Sequence, residues 1–284
     1  MIRLANSLIR PLHDSELALA NHWAVDEGWN PGLHDAAVFN RADPGSLLTL
    51  EVDGAPVGVM SATRFSDEQG FLGFFVMAPE FRRGRYAWTL MKAGLERIGD
   101  RVLGAESVLE LVRTYARYGL TPYYQTVSYH GVSPSSPAPW KEGVETASSV
   151  DPSLIAAYDQ TSVGVPRAPF IQAWLTLPES RALVFKRKDR LCGFGVARRC
   201  PHGIRIGPLQ ADHPDVAEAL FDALIGWAPG ETISIDCPGI NPSAAPLAIA
   251  KGLTPGSTSS RLYRGKPPSG ASHRVYGLMS FAFG

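Results

Sequence analysis

The sequence has no excess of charge of either sign: 27 Lys and Arg stand against 27 Asp and Glu in 284 residues. No bulk field therefore draws it to nucleic acid or to an anionic membrane, and any positive site has to be local. Cysteine is scarce. Cys192, Cys200 and Cys237 are odd in number and have no metal-ligand spacing. That excludes a disulfide framework and reads as buried thiols in a reducing compartment, with a bacterial-type cytoplasm as the expected location. No apolar run approaches the ~20 residues of a membrane-spanning helix. The first twenty residues lack the continuous apolar core and small-residue cleavage site of a signal peptide. The seven histidines are scattered without a pair of the HExxH kind, so no metal is expected. The basic segments 186–190 and 198–199 carry no interleaved aromatics and read as hairpin surface rather than a nucleic-acid face.

What is present is an ordinary globular composition, 45% hydrophobic and 19% charged, in a chain long enough for one large domain or two of usual size. Hydrophobic patterning predicts a strand at 7–12, a helix capped by Asp14 or Ser15 and running to about 25, and a short helix over 34–40. A hairpin follows over 46–52 and 56–65, around Asp53-Gly54. A strand at 71–77 feeds a helix that ends at Gly99. Val102-Leu103 is a weak strand, 108–118 a helix and 122–129 a strand. The stretch 133–140, SPSSPAPW, is the best linker.

After the linker the order recurs, with helices at 153–157 and 170–175 and a hairpin over 182–198. Strands at 204–209, 233–236 and 257–263 then alternate with helices at 216–227 and 242–250, before a last strand at 275–283. Residues recur as well. Gly119-Leu120-Thr121-Pro122 returns as Gly252-Leu253-Thr254-Pro255, Tyr129-His130-Gly131 as Tyr263-Arg264-Gly265, and Val57-Gly58 with Ala62 as Cys192-Gly193 with Ala197. The offsets are nearly equal, which argues for duplication. The expected organisation is a mixed α/β (α+β) chain of two similar tandem domains, 1–132 and 142–284, joined by 133–141. Each is a mostly antiparallel sheet flanked by helices.

The stretch 73–99 carries the chemistry. A buried strand (Phe74, Phe75, Val76, Met77) turns at Pro79 into a basic loop, Arg82-Arg83-Gly84-Arg85. A helix follows with Ala87, Leu90, Met91, Gly94, Leu95 and Ile98 on one stripe. Unpaired N–H groups and the helix dipole at such an N-terminus suit a phosphate or pyrophosphate. The pattern by itself also describes a strand-to-helix turn with solvated arginines. In the second copy the same place, 215–220, has no glycine or arginine and carries Asp215 and Glu218. Carboxylates there stabilise the helix and repel a pyrophosphate. The first copy is thus expected to be the cofactor domain and the second to shape the substrate cleft.

The segment 76–87 resembles the acetyl-CoA-binding motif of the GCN5-related N-acetyltransferases. That motif is a strand, a Pro, then Arg/Gln-x-x-Gly-x-Gly/Ala opening a helix. Arg82 takes the first position and Ala87 the last, while Arg85 stands in the usual glycine slot with Gly84 one residue early. Element order and Tyr115, four residues before Gly119-Leu120, extend the resemblance. So do Glu27-Gly28-Trp29-Asn30-Pro31-Gly32 and the closing Val275-Tyr276-Gly277-Leu278-Met279-Ser280-Phe281. Nearly the whole chain is similar to the two-domain YitH-like and holothin-acyltransferase-like subgroup.

The resemblance implies an N-acetyltransferase that moves an acetyl or short acyl group from acyl-CoA to a primary amine of a small molecule by direct attack. Coenzyme A enters as a substrate and no metal is needed. It implies main-chain contacts from Val76 and Met77 to the pantetheine arm, and N–H groups from Arg83, Gly84, Arg85, Tyr86 and Ala87 on the pyrophosphate beside Arg82. Tyr115 becomes the general acid for the departing thiolate. Read from its residues alone, Tyr115 shares a helical face with Val108, Leu111 and Val112 and suits a core equally. Glu27, Trp29 and Asn30 border the expected acceptor cleft, and Asp67, Glu68 and Glu27 are candidate bases. Two alternatives stay open: a protein-lysine acetyltransferase, and a non-catalytic CoA-binding or interaction module. A homodimer is possible.

Overall fold

The computed structural model describes residues 7–82 and 84–284. The first half of the chain runs β1 (Ser7–Pro11), α1 (Leu17–Asp26), α2 (Asp35–Ala42), β2 (Leu47–Val52), β3 (Ala55–Arg64), β4 (Gln69–Met77), α3 (Arg85–Ile98), β5 (Val102–Val108), α4 (Val112–Ala116) and β6 (Thr121–Val132). The second runs β7 (Val144–Thr146), α5 (Pro152–Val163), α6 (Ala168–Leu175), β8 (Ser180–Arg187), β9 (Arg190–Arg199), β10 (Ile204–Ala211), α7 (Pro214–Ile225), β11 (Thr232–Pro238), α8 (Ala244–Ala250) and β12 (Thr254–Arg264). A short β13 (Val275–Gly277) comes last. The expected order of elements therefore recurs on either side of an irregular segment, 133–143.

Local chemistry explains most boundaries. Asp53 and Gly54 both take positive φ and turn β2 into β3. Asp151 accepts the Ser153 N–H at 2.8 Å, Pro152 sits at the first helical position, and Gly164 closes α5 in the left-handed region. The start of α1 differs from expectation. Neither Asp14 nor Ser15 caps it. The Glu16 carboxylate accepts the His13 N–H at 2.9 Å, and Asp14 instead takes the Asn40 amide at 2.7 Å. The helix expected over 108–118 shrinks to a 3-10 turn, Leu109–Leu111, and five residues of α4, because Val108 is the last paired residue of β5, opposite Ser259. The strand expected over 275–283 is only three residues long.

All thirteen described strands join one sheet, in the order β1-β2-β3-β4-β5-β12-β6-β11-β10-β9-β8-β7, with β13 on β10. The chain halves and the sheet halves do not coincide. β5 pairs with β12 from the second half, and β11 pairs with β6 from the first. β6 and β12 then pair with each other, antiparallel, from Thr254–His130 to Tyr263–Thr121. These are the strands whose ends carry the repeated Gly-Leu-Thr-Pro and Tyr-x-Gly residues, so the repeat marks two strands that have changed places about a pseudo-two-fold axis.

Helices α3 and α4 cover one face of the first half, over Leu50, Met60, Leu72, Leu103 and Ala105. Helices α7 and α8 do the same in the second, over Leu183, Ile204, Ile206, Ile233 and Ile235. A third cluster joins α1, α2, α5 and α6 across the opposite face, with Phe39, Phe74, Trp174, Phe194 and Phe283 at its centre. Asp35 of α2 is ion-paired with buried Arg198 of β9, a further tie between the halves.

Candidate active site

The site begins where two parallel strands part. β4 and β5 pair from Gln69–Val102 to Leu72–Ala105 and no further. Opposite, the β3–β4 register jumps from Ser61–Gly73 to Val59–Val76, so Phe74 and Phe75 together face Met60. Phe74 takes φ +47° to make this bulge. The bulge turns β4 away while β5 continues along β12. The β5-facing edge of β4 from Gly73 to Met77 is left without a strand neighbour. Val76 and Met77 lie on that edge with their side chains buried in the two flanking cores, so what they offer is main chain.

Beyond the edge the chain turns at Pro79–Phe81 and reaches Gly84, whose φ of +90° strongly favours glycine, immediately before the first residue of α3. No side chain caps that helix, so its leading N–H groups face outward. Gly94 lets α3 lie close on the sheet, since a Cβ there would meet Met60 and Leu72. Arg82 is held from two sides: Nε donates to the Met77 carbonyl at 3.1 Å, and the guanidinium is ion-paired with Glu27. Glu27, expected beside a substrate, is thus the partner of the loop arginine. Arg83 lies outside the described residues. Arg85, in the slot where the motif has glycine, turns its guanidinium over the Tyr86 ring, 4.9 Å from the centroid, and donates to its hydroxyl. Tyr86 packs edge-on against Phe81, and Ala87 is half-buried.

Tyr115 projects from α4 into the core beneath the same helix face, 7% exposed, in one cluster with Met77, Leu90 and Met91. Its hydroxyl bonds to no described group, and burial pushes its pKa up to about 12, with Tyr118 adding to the effect. Trp29 lies on the other face of β4, edge-on to Phe74 at 6.1 Å and 38% exposed. The Asn30 amide both donates to and accepts from the main chain of His202, at 3.0 Å each, and so ties the halves together. Asp67 and Glu68 precede β4, at its far end from Val76 and Met77, with Asp67 exposed beside Arg101.

The structure adds residues that no spacing or motif in the chain groups together. Arg205 donates to the Trp29 carbonyl at 3.2 Å and is ion-paired with buried Asp236 at 2.8 Å, which also takes the Ser128 hydroxyl. His130 is half-buried near both charges. Burial, then Arg205, lowers its pKa, and Asp236 opposes them. These side chains alternate with core residues, Tyr129 on β6 and Ile235 on β11, and so share the face that carries Trp29. Only the exchange of β6 places His130 beside Asp236.

The second half repeats the parting and fills it. β10 and β11 pair only over Ile204–Ile233 to Ile206–Ile235. β13 then pairs with β10, and Leu278 N–H donates to the Asp236 carbonyl at 2.9 Å. At the start of α7, Asp215 is ion-paired with Arg187. No helix among the described residues is long and apolar enough to cross a membrane, and no described cluster of His, Cys, Asp or Glu is arranged to hold a metal ion.

A bulged strand that parts from its parallel neighbour over an open helix N-terminus, built twice, defines a tandem acetyltransferase architecture. Residues 12–127 match the profile described as Acetyltransferase (GNAT) family, and 155–277 match that described as Acetyltransferase (GNAT) domain. The chain belongs to the GNAT family and is an acyl-transferring enzyme. It is 26% identical over 279 residues to a holothin acyltransferase from Pseudoalteromonas sp. (strain SANK 73390), covering 97% of this chain and 94% of that one. A crystal structure from Pyrococcus horikoshii shares the fold over 100% of this chain and 98% of its own, with a TM-score of 0.83 at 19% identity. A GCN5-related N-acetyltransferase from Sphaerobacter thermophilus does so over 93% and 96%, with a TM-score of 0.61 at 15% identity.

Proposed function

We propose that the first half binds acyl-CoA and that the acyl group passes directly to a primary amine of a small molecule, on the face carrying Trp29. The family uses acetyl-CoA as its donor. The observation that carries the assignment to one half is the contrast between the two partings: β4 keeps an unpaired edge above an uncapped helix, and β10 is covered by β13. In this reading the pantetheine arm pairs with the main chain at Val76 and Met77, and the pyrophosphate takes the N–H groups from Arg83 to Ala87. The amine nitrogen attacks the thioester carbon, the C–S bond breaks, and its electron pair stays on sulfur. Tyr115, protonated at neutral pH, gives that sulfur its proton. His130, kept neutral by burial, is our candidate for receiving the proton the amine loses. A small acceptor is favoured over a protein surface because the second half walls this face, through Arg205 on Trp29 and His202 on Asn30.

Calorimetric titration tests the donor: micromolar binding of CoA is expected, and Arg82→Glu, which sets a second carboxylate beside Glu27, should abolish it. No heat with CoA or acetyl-CoA would sink the reading. Thiol release with free amines should exceed release with lysine peptides. The reverse would mark a protein acetyltransferase, and tight CoA binding without release a non-catalytic module.

A further inference from the structure

Away from the acyl site lies a cavity of about 380 Å³, within the size range of small-molecule sites. Gln69, Gly70 and Phe71 form part of its wall at the start of β4. Val76 is five residues beyond Phe71, roughly 16 Å along an extended strand. The opposite wall comes from the α5–α6 turn and from Val275 and Leu278, beside the covered parting of the second half. By the pseudo-two-fold symmetry this is the second half's counterpart of the Trp29 face.

Arg261 of β12 lines the cavity and is 4% exposed. Its Nε donates to Glu106 at 2.7 Å, and Ser259 holds the other oxygen of that carboxylate. The guanidinium carbon lies over the Phe71 and Tyr124 rings, 5.0 and 5.5 Å from their centroids. Nη1 and Nη2 donate to no described group, and Nη2 is shut off from water. A buried cation with unused donors is costly to leave so. Arg167, the other guanidinium here, is fully occupied by Asp159 and by the main-chain oxygens of Phe283 and Gly284. Lys266, on the rim, is in no ion pair with a described residue. Arg261 and Lys266 against Glu106 leave one positive charge over. The rest of the wall mixes aromatic rings and prolines with polar groups, Gln69, Ser162, Ser269 and Ser272 among them.

We propose that this cavity is a second ligand site, separate from the acyl site, which takes a small organic carboxylate on Nη1 of Arg261, the one guanidinium nitrogen both unpaired and open, with its apolar body against Phe65. It stands independently of the acyl-CoA reading, because its test needs no acyl donor. Benzoate and its neutral isostere benzamide are titrated into the full chain at low salt, with and without saturating CoA. Benzoate should bind about tenfold more tightly than benzamide, the difference a charge-assisted pair makes. CoA should leave that affinity unchanged, and Lys266→Glu on the rim should weaken it several-fold. A soaked crystal should show the carboxylate at Arg261. No benzoate binding, equal binding of the two probes, or displacement of benzoate by CoA would each overturn the proposal.

Discussion

Tyr115 is a phenol held where a phenolate is unwelcome, and this sets two expectations. Replacement by Phe keeps the packing and removes the proton. Turnover should fall by about 10²-fold or more, with CoA affinity kept within about threefold. Equal losses in both would assign Tyr115 to packing. The second concerns stability. The folded pKa of about 12 lies above the ordinary tyrosine value of 10.0. The native state therefore holds its proton while the unfolded chain gives it up, and this stability is complete below pH 10 and lost as pH rises to 12. The loss is about 3 kcal/mol by linkage, and denaturant titrations of the parent and the Phe variant across that window read it. For His130 the shift is downward, so the acid limb of the rate profile should fall below the ordinary imidazole pKa of 6.5, and His130→Gln should remove that limb. At this scale the loop residues were legible as a motif. The turn of Arg82 toward Glu27 and of Asn30 toward His202 was not, because each partner is fixed by long-range packing that no spacing encodes.

Among elements, β13 has the largest effect for its length. Gly277 packs so closely that a Cβ would stand 2.9 Å from two carbons of Ile235. Gly277→Val should cost about 1–3 kcal/mol by overpacking and lower the melting temperature by several degrees. CoA binding in the first half should survive, and its loss would show that the two partings are coupled. Most strands and helices could be read from their alternation, stripes and turn residues, as with Asp53-Gly54 and the α3 stripe ending at Gly99. β13 could not: 275–283 is apolar nearly throughout, and only the space between β10 and β11 limits pairing to three residues. α4 fell short for a similar reason, since β12 draws Val108 into the sheet.

For the whole molecule, the duplication was visible in three sets of matching residues, but the exchange of β6 and β12 was not. Each strand presents the same pattern whichever neighbour it joins. Exchange makes the halves interdependent, with two tandem domains in the chain sharing one sheet. Calorimetry of the full chain should therefore show one unfolding transition whose calorimetric and van't Hoff enthalpies agree, and the separate pieces 1–132 and 142–284 should each fail to fold. Two resolved transitions would contradict this.

The same crossing has a consequence during synthesis. β5 leaves the ribosome more than a hundred residues before β12, the partner that completes its side of the sheet. At elongation rates of about 5–20 residues per second that is roughly ten seconds during which the first half carries an open hydrogen-bonding edge. Nascent chains arrested short of Thr254 should be cut readily by protease, and those released after Arg264 should resist it. The half we propose for the acyl donor thus becomes competent only after β12 has been made, although it is itself made first.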